Sequence, residues 1–175
     1  MRKKIVPALF DLYIHNNLPK LFRIIGFSRR DITEDEFKKF VLEILQSGKE
    51  KKRKDQVNSF LNLVTYQQGD FDKKQAYSTL AQNLGIIDDG WSACSNKLFY
   101  LAVPPLFYRT IFEQLASSGL TIPCGGDEGW TRVLVEKPFG NNQKTAEELD
   151  ILLSRLFREE QLYRIDHYLG KEMLQ

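Results

Sequence analysis

Near the end of the chain, Asp166, His167, Tyr168 and Lys171 bring a carboxylate, an imidazole, a phenol and an ammonium within six positions, with Leu169 and Gly170 between them. A carboxylate can fix the tautomer of a neighbouring imidazole, and a phenol and an ammonium can grip an anion. Apolar Leu162 and Ile165 come just before, so the cluster follows a buried strand. From spacing alone, a strand end with solvated polar groups is an equal reading. Lys137 stands before Pro138 at the close of the apolar run Trp130 to Val135. A residue preceding proline is restricted to extended backbone, which suits an ammonium held over a substrate or a surface lysine in a turn. Arg29 ends the short apolar stretch Leu21 to Phe27. In dinucleotide-binding folds the end of the second strand distinguishes an acid for the ribose hydroxyl of NAD from an arginine for the 2′-phosphate of NADP. Exposed loop arginines are common, so that reading stays open here. Tyr108 lies in the first turn of a helix, facing a crevice or packing.

The elements that must position these groups alternate along the chain. Met1 to Asn16 is predicted as a helix with Ile5, Leu9, Leu12 and Tyr13 on one face, and Pro7 fixes its start close to Met1. After the strand at Leu21 to Phe27, Thr33 and Glu36 form a capping box for a helix to about Leu45. Val57, Phe60, Leu61 and Val64 make another helical face, Thr65 to Phe71 is extended or turning, and Asp72 to Asn83 is a helix. Gly85 to Ser95 reads as a polar loop. Leu98 to Val103 is continuously apolar, as in a parallel strand buried on both faces, and Pro104-Pro105 stops it. A helix from about Leu106 to Ser117, a glycine-rich loop to Gly129, the strand at Trp130 and a helix capped by Thr145 with Glu148 follow. This alternation predicts an α/β fold, a doubly wound parallel sheet with flanking helices, carrying Arg29, Tyr108, Lys137 and the Asp166–Lys171 cluster at one edge.

The chain has 175 residues, a net charge of +2 and 42% hydrophobic residues, enough for a core and too mildly basic to argue for nucleic acid. No apolar run approaches the roughly 18 residues of a membrane span. Cys94 and Cys124 have neither metal-knuckle nor redox-pair spacing; idle thiols in a reducing cytoplasm are the favoured reading, and a disulfide is the alternative. No metal site is expected.

The stretch Tyr163-Arg164-Ile165-Asp166-His167-Tyr168-Leu169-Gly170-Lys171-Glu172, with Val135-Glu136-Lys137-Pro138-Phe139-Gly140 ahead of it, closely resembles glucose-6-phosphate dehydrogenase. Leu98 to Pro105 and Gly26 to Arg29 match too, and the resemblance runs in order through essentially the whole chain. It implies oxidation of glucose 6-phosphate at C1, with hydride passing to NADP and a lactone as product, a reaction of the pentose phosphate pathway in the cytoplasm. Arg29 is implied to bind the 2′-phosphate, and Tyr108 to line the cofactor site. Lys137 is implied to touch both sugar and cofactor. His167, Tyr168, Leu169, Gly170 and Lys171 are implied to hold the sugar phosphate, and Asp166 to orient the histidine that acts as general base. The resemblance further implies homo-oligomers among full-length members.

That family opens with a strand and a glycine-rich pyrophosphate turn, whereas this chain starts where the turn should feed the first helix and contains no G-x-G. Residues 1–175 are therefore expected to be an NADP-binding coenzyme domain, Rossmann-like but incomplete, lacking its first strand and glycine-rich turn. The larger C-terminal α+β domain is expected to be absent, with the general base beyond Gln175. These residues alone are expected to turn over little substrate. The alternative is a non-enzymatic module that binds a phosphosugar or nucleotide.

Overall fold

A computed structural model describes residues 4–48, 52–124, 129–137, 139 and 142–165. The chain divides into two compact units, Met1–Asp70 and Phe71–Gln175. Each is an α/β unit built on its own parallel sheet. The sequence pattern correctly predicts parallel strands alternating with helices, but the strands fall into two sheets. Strand apolarity marks which segments are buried and leaves open which edges pair.

In the first unit the order is α1 (Ile5–Ile14), β1 (Ile24–Ser28), α2 (Glu34–Gln46), α3 (Lys54–Leu61) and β2 (Val64–Gln68). β1 and β2 run parallel, with Ile24 opposite Val64 and Gly26 opposite Tyr66. α1 tolerates Pro7 because the proline falls in its first turn, where the backbone N–H has no helical partner. Its buried side chains are Val6 and Phe10, with Leu9 and Tyr13 half-buried beside them and Leu12 exposed. Phe10 meets fully buried Phe60 edge to face, ring centroids 5.3 Å apart. With Val41, Ile44, Leu45, Val57 and Val64 they form this unit's core, each large side chain contributing about 1.5–3 kcal/mol by leaving water. The capping box of α2 is present: Glu36 N–H donates to Thr33 Oγ1 (3.2 Å) and Thr33 N–H to Glu36 Oε2 (2.7 Å). Val64 opens β2 instead of extending a helical face, because α3 has already ended at Leu61.

The second unit contains α4 (Lys74–Trp91), β3 (Lys97–Leu101), α5 (Tyr108–Ser117), β4 (Thr131–Glu136), α6 (Gln143–Leu156) and β5 (Leu162–Ile165). Single 3-10 turns at Pro105–Phe107 and Glu159–Gln161 lead into α5 and β5. The parallel sheet runs β3-β4-β5, with Leu98 opposite Arg132 and Leu134 opposite Tyr163. Val133 and Val135 are completely buried, as is Phe112 of α5, which meets Phe157 edge to face at 5.6 Å. The opposite face is open: Leu98 and Tyr163 are exposed, and the Arg132 guanidinium lies over the Trp130 and Tyr163 rings, 4.3 and 5.3 Å from their centroids. β3 is thus not buried on both faces; its apolar run includes Leu98, which is 55% exposed.

Three further expectations are corrected. The segment read as a loop from Gly85 is helical to Trp91, since a glycine costs a helix only about 1 kcal/mol and two do not end one. α6 is capped by Asn142, whose Oδ1 accepts from Thr145 N–H (2.9 Å) while Thr145 Oγ1 accepts from Asn142 N–H (3.1 Å), so Thr145 is the box's third residue and not its cap. Cys94 and Cys124 form a disulfide, Cα atoms 5.9 Å apart, joining the loop after α4 to the segment after α5. Spacing along the chain could not show that those two segments lie side by side.

Candidate functional site

The carboxyl ends of β4 and β5 lie together. Lys137 N–H donates to the carbonyl oxygen of Ile165 (3.0 Å), continuing the β4–β5 ladder one residue past Glu136. The other polar atom of the Glu136–Lys137 peptide is held as well. Tyr108, the first residue of α5 and 2% exposed, donates its hydroxyl to the Glu136 carbonyl oxygen at 3.3 Å. Burial pushes the Tyr108 phenol above its ordinary range, so it stays a donor at neutral pH. The Tyr100 phenol donates to the Glu136 carboxylate. That pairing follows from register: Tyr100 stands opposite Leu134, which makes Glu136 its diagonal neighbour on the same sheet face. Two phenols therefore converge on the residue ahead of Lys137, one on its carboxylate and one on its carbonyl, and Tyr108 with Ile165 fixes the peptide from which the exposed lysine departs.

β5 is anchored at its start and along its length. Gln161 is buried; its Nε2 donates to the carbonyl oxygens of Thr121 (2.8 Å) and Thr131 (3.0 Å), and its Oε1 accepts from Arg158 N–H (2.9 Å). Arg164 reaches Glu159 at 2.6 Å and Asp150 at 2.8 Å, and these two carboxylates raise its already high pKa. Asp166 follows Ile165 directly in sequence. Asp166, His167, Tyr168, Leu169, Gly170 and Lys171 lie outside the described residues, as does Pro138.

Arg29 belongs to the first unit, exposed immediately beyond the carboxyl end of β1. Tyr66 of β2 organises that turn. Its hydroxyl lies 2.5 Å from the Arg30 carbonyl oxygen, 2.8 Å from Ser28 Oγ and 3.2 Å from the Ser28 carbonyl oxygen. A cation at the end of a strand, with Arg30 beside it, suits a phosphate dianion. Tyr66, Tyr100, Glu136 and Gln161 were not singled out from the sequence. Their roles depend on cross-strand register, which a residue list does not carry, although the alternation Val64-Thr65-Tyr66-Gln67 is a strand signal that could have pointed to Tyr66.

Among the described residues no group of histidine, cysteine, aspartate and glutamate side chains could hold a metal ion, and no helix is long and apolar enough to cross a membrane.

The family model described as "Glucose-6-phosphate dehydrogenase, NAD binding domain" matches residues 1–175. Glucose-6-phosphate 1-dehydrogenase 2 of Mycobacterium tuberculosis is 38% identical over 175 residues, covering 99% of this chain and 34% of the relative. Glucose-6-phosphate 1-dehydrogenase of Leuconostoc mesenteroides is 36% identical over 174 residues, covering 99% and 35%. A solved glucose-6-phosphate dehydrogenase in complex with its substrate glucose 6-phosphate superposes with a TM-score of 0.85 at 35% identity, over 98% of this chain and 35% of that one. The chain thus spans about a third of the length of the relatives it matches. With the βα units in order, a cation beyond β1 and a lysine held at the end of β4, this chain belongs to the glucose-6-phosphate dehydrogenase family, within its nicotinamide-dinucleotide-binding domain.

Proposed function

We propose that the protein oxidises glucose 6-phosphate at C1 to the lactone, with NADP as the hydride acceptor, in the cytoplasm and as a step of the pentose phosphate pathway. The observation that carries this reading is the fit to a solved relative that holds glucose 6-phosphate, at a TM-score of 0.85. The compartment draws support from an Arabidopsis thaliana relative named as cytoplasmic, 35% identical over 178 residues. In this reading residues 1–175 serve as the coenzyme domain. NADP, when bound, supplies the acceptor for the hydride. Arg29 pairs with the 2′-phosphate, whose dianion is best matched by a guanidinium fork. Tyr108 lines the cofactor site. Lys137 places its ammonium toward sugar and cofactor, its departure fixed by the peptide that Tyr108 and Ile165 hold. His167, Tyr168 and Lys171, with the Leu169–Gly170 backbone, hold the sugar phosphate, and Asp166 orients the base that takes the C1 hydroxyl proton. Self-association belongs to the same proposal.

The whole protein, given glucose 6-phosphate and NADP, should form NADPH. Lys137→Ala should cut kcat/KM by at least about 100-fold, in the range of a lost positioned charge or proton-transfer group. Turnover unchanged in Lys137→Ala would remove the lysine from the reaction. Binding of glucose 6-phosphate without any NADPH would favour the non-enzymatic module instead.

A further inference from the structure

One phenol in the first unit is bound to both residues that flank Arg29, and the order of its hydrogen bonds can be worked out. A carbonyl cannot donate, so the contact between Tyr66 Oη and the Arg30 carbonyl oxygen (2.5 Å) uses the phenol's own proton. Arg30 N–H donates to Ser28 Oγ (3.3 Å), which leaves the serine proton for Tyr66 Oη at 2.8 Å. The three bonds close a ring: Arg30 N–H to Ser28 Oγ, Ser28 O–H to Tyr66 Oη, Tyr66 O–H to Arg30 carbonyl. The ring closes through the backbone of Arg30, and its Arg30 N–H to Ser28 Oγ bond bridges the two neighbours of Arg29, so a turn of the Arg29 backbone works against that bond.

The phenol is itself held in place. Tyr66 stands opposite Gly26 in the sheet, and its ring lies 5.1 Å from that of buried Phe37. Phe37 can lie there because residue 26 has no side chain: a Cβ at Gly26 would come within 2.3 Å of the Phe37 ring. A rigid aromatic lever thus runs from the floor of the sheet to the turn beyond β1.

We infer that Tyr66 is a positioning residue for Arg29 and through it sets the preference for a phosphorylated over an unphosphorylated adenosine ribose. The inference rests on the reading of Arg29 as the 2′-phosphate ligand. In this role Tyr66 acts through Arg29: it fixes the launch direction of the guanidinium, and a bidentate pair with phosphate depends on that direction. Removing one hydroxyl should therefore penalise only ligands that carry the 2′-phosphate.

The test compares two probes on the whole protein by calorimetry, adenosine 2′,5′-bisphosphate and 5′-AMP, alongside KM for NADP and for NAD. Tyr66→Phe should weaken the bisphosphate about tenfold, the scale of one lost hydrogen bond, and leave 5′-AMP within about twofold. KM for NADP should rise in proportion while KM for NAD stays put. Ser28→Ala opens the same ring without touching the aromatic packing, so it carries the test if Tyr66→Phe does not fold, with a shift in the same direction. Equal weakening of both probes, or no change in either, would overturn the inference, since a merely structural tyrosine has no means of telling the two apart. Arg29→Gln separates the premises. If it leaves the preference for the bisphosphate intact, the reading of Arg29 fails; if it abolishes that preference while Tyr66→Phe and Ser28→Ala do not move it, the role of Tyr66 alone fails.

Discussion

Gln161 shows how one uncharged polar side chain can hold three backbone groups. It accepts from Arg158 N–H and donates to Thr121 and Thr131, so the entry to β5, the segment after α5 and the start of β4 share a buried amide. Gln161→Leu keeps the volume and orphans all three. Since an unsatisfied buried group costs about 1–3 kcal/mol, with some recovery by local shifts, the variant should lose about 3 kcal/mol in urea unfolding. A loss below about 1 kcal/mol would mean that water reaches those groups. At this scale the sequence placed Arg29 and Lys137 at strand ends and Tyr108 in the first turn of a helix, as the structure has them. It hid Gln161, Tyr66 and Tyr100 because a glutamine or tyrosine acquires its partner only through register.

Among the elements, what could be read depended on how local the signal was. The Thr33–Glu36 box is a contact between residues three apart, and it stands as the pattern predicts. The strand at Leu98 was visible as an apolar run, yet which face is covered depends on a packing layer far away in sequence. The Cys94–Cys124 link is the extreme case, its halves separated by 30 in sequence. Closing a loop of that length restricts the unfolded chain by about 3–4 kcal/mol in the loop-entropy account. Treatment with a reductant should lower the protein's melting temperature, and Cys94→Ser with Cys124→Ser should melt where the reduced protein does, insensitive to reductant. Identical melting of oxidised and reduced protein would remove the bond from the stability of this unit. In a cytoplasm the thiol poise decides how much of the pair is closed.

At the scale of the molecule, net charge is small, and the pH dependence of stability can be traced to single carboxylates such as the half-buried Asp88. Burial on its own would raise the Asp88 pKa, but hydrogen bonds from Ser95 (3.1 Å to its N–H) and Lys97 (2.9 Å) outweigh it and hold the group below its ordinary 3.8. A carboxyl depressed in the folded state stabilises fully above its unfolded pKa, about 3.9, and that stabilisation is lost as pH falls through the lower folded value. Asp88→Asn should therefore be destabilising at pH 7, and its deficit relative to the unaltered protein should shrink in melts run progressively below about pH 4; a deficit constant with pH would show that the charge contributes nothing. The division into Met1–Asp70 and Phe71–Gln175 reaches further. Each unit encloses its own apolar interior, one around Phe60 and one around Phe112, so heat has two bodies to dissolve. Scanning calorimetry should then return a van't Hoff enthalpy smaller than the calorimetric one, resolving into two endotherms. Since both cysteines lie in the second unit, dithiothreitol should shift one endotherm and leave the other in place, which assigns each peak to its half of the chain.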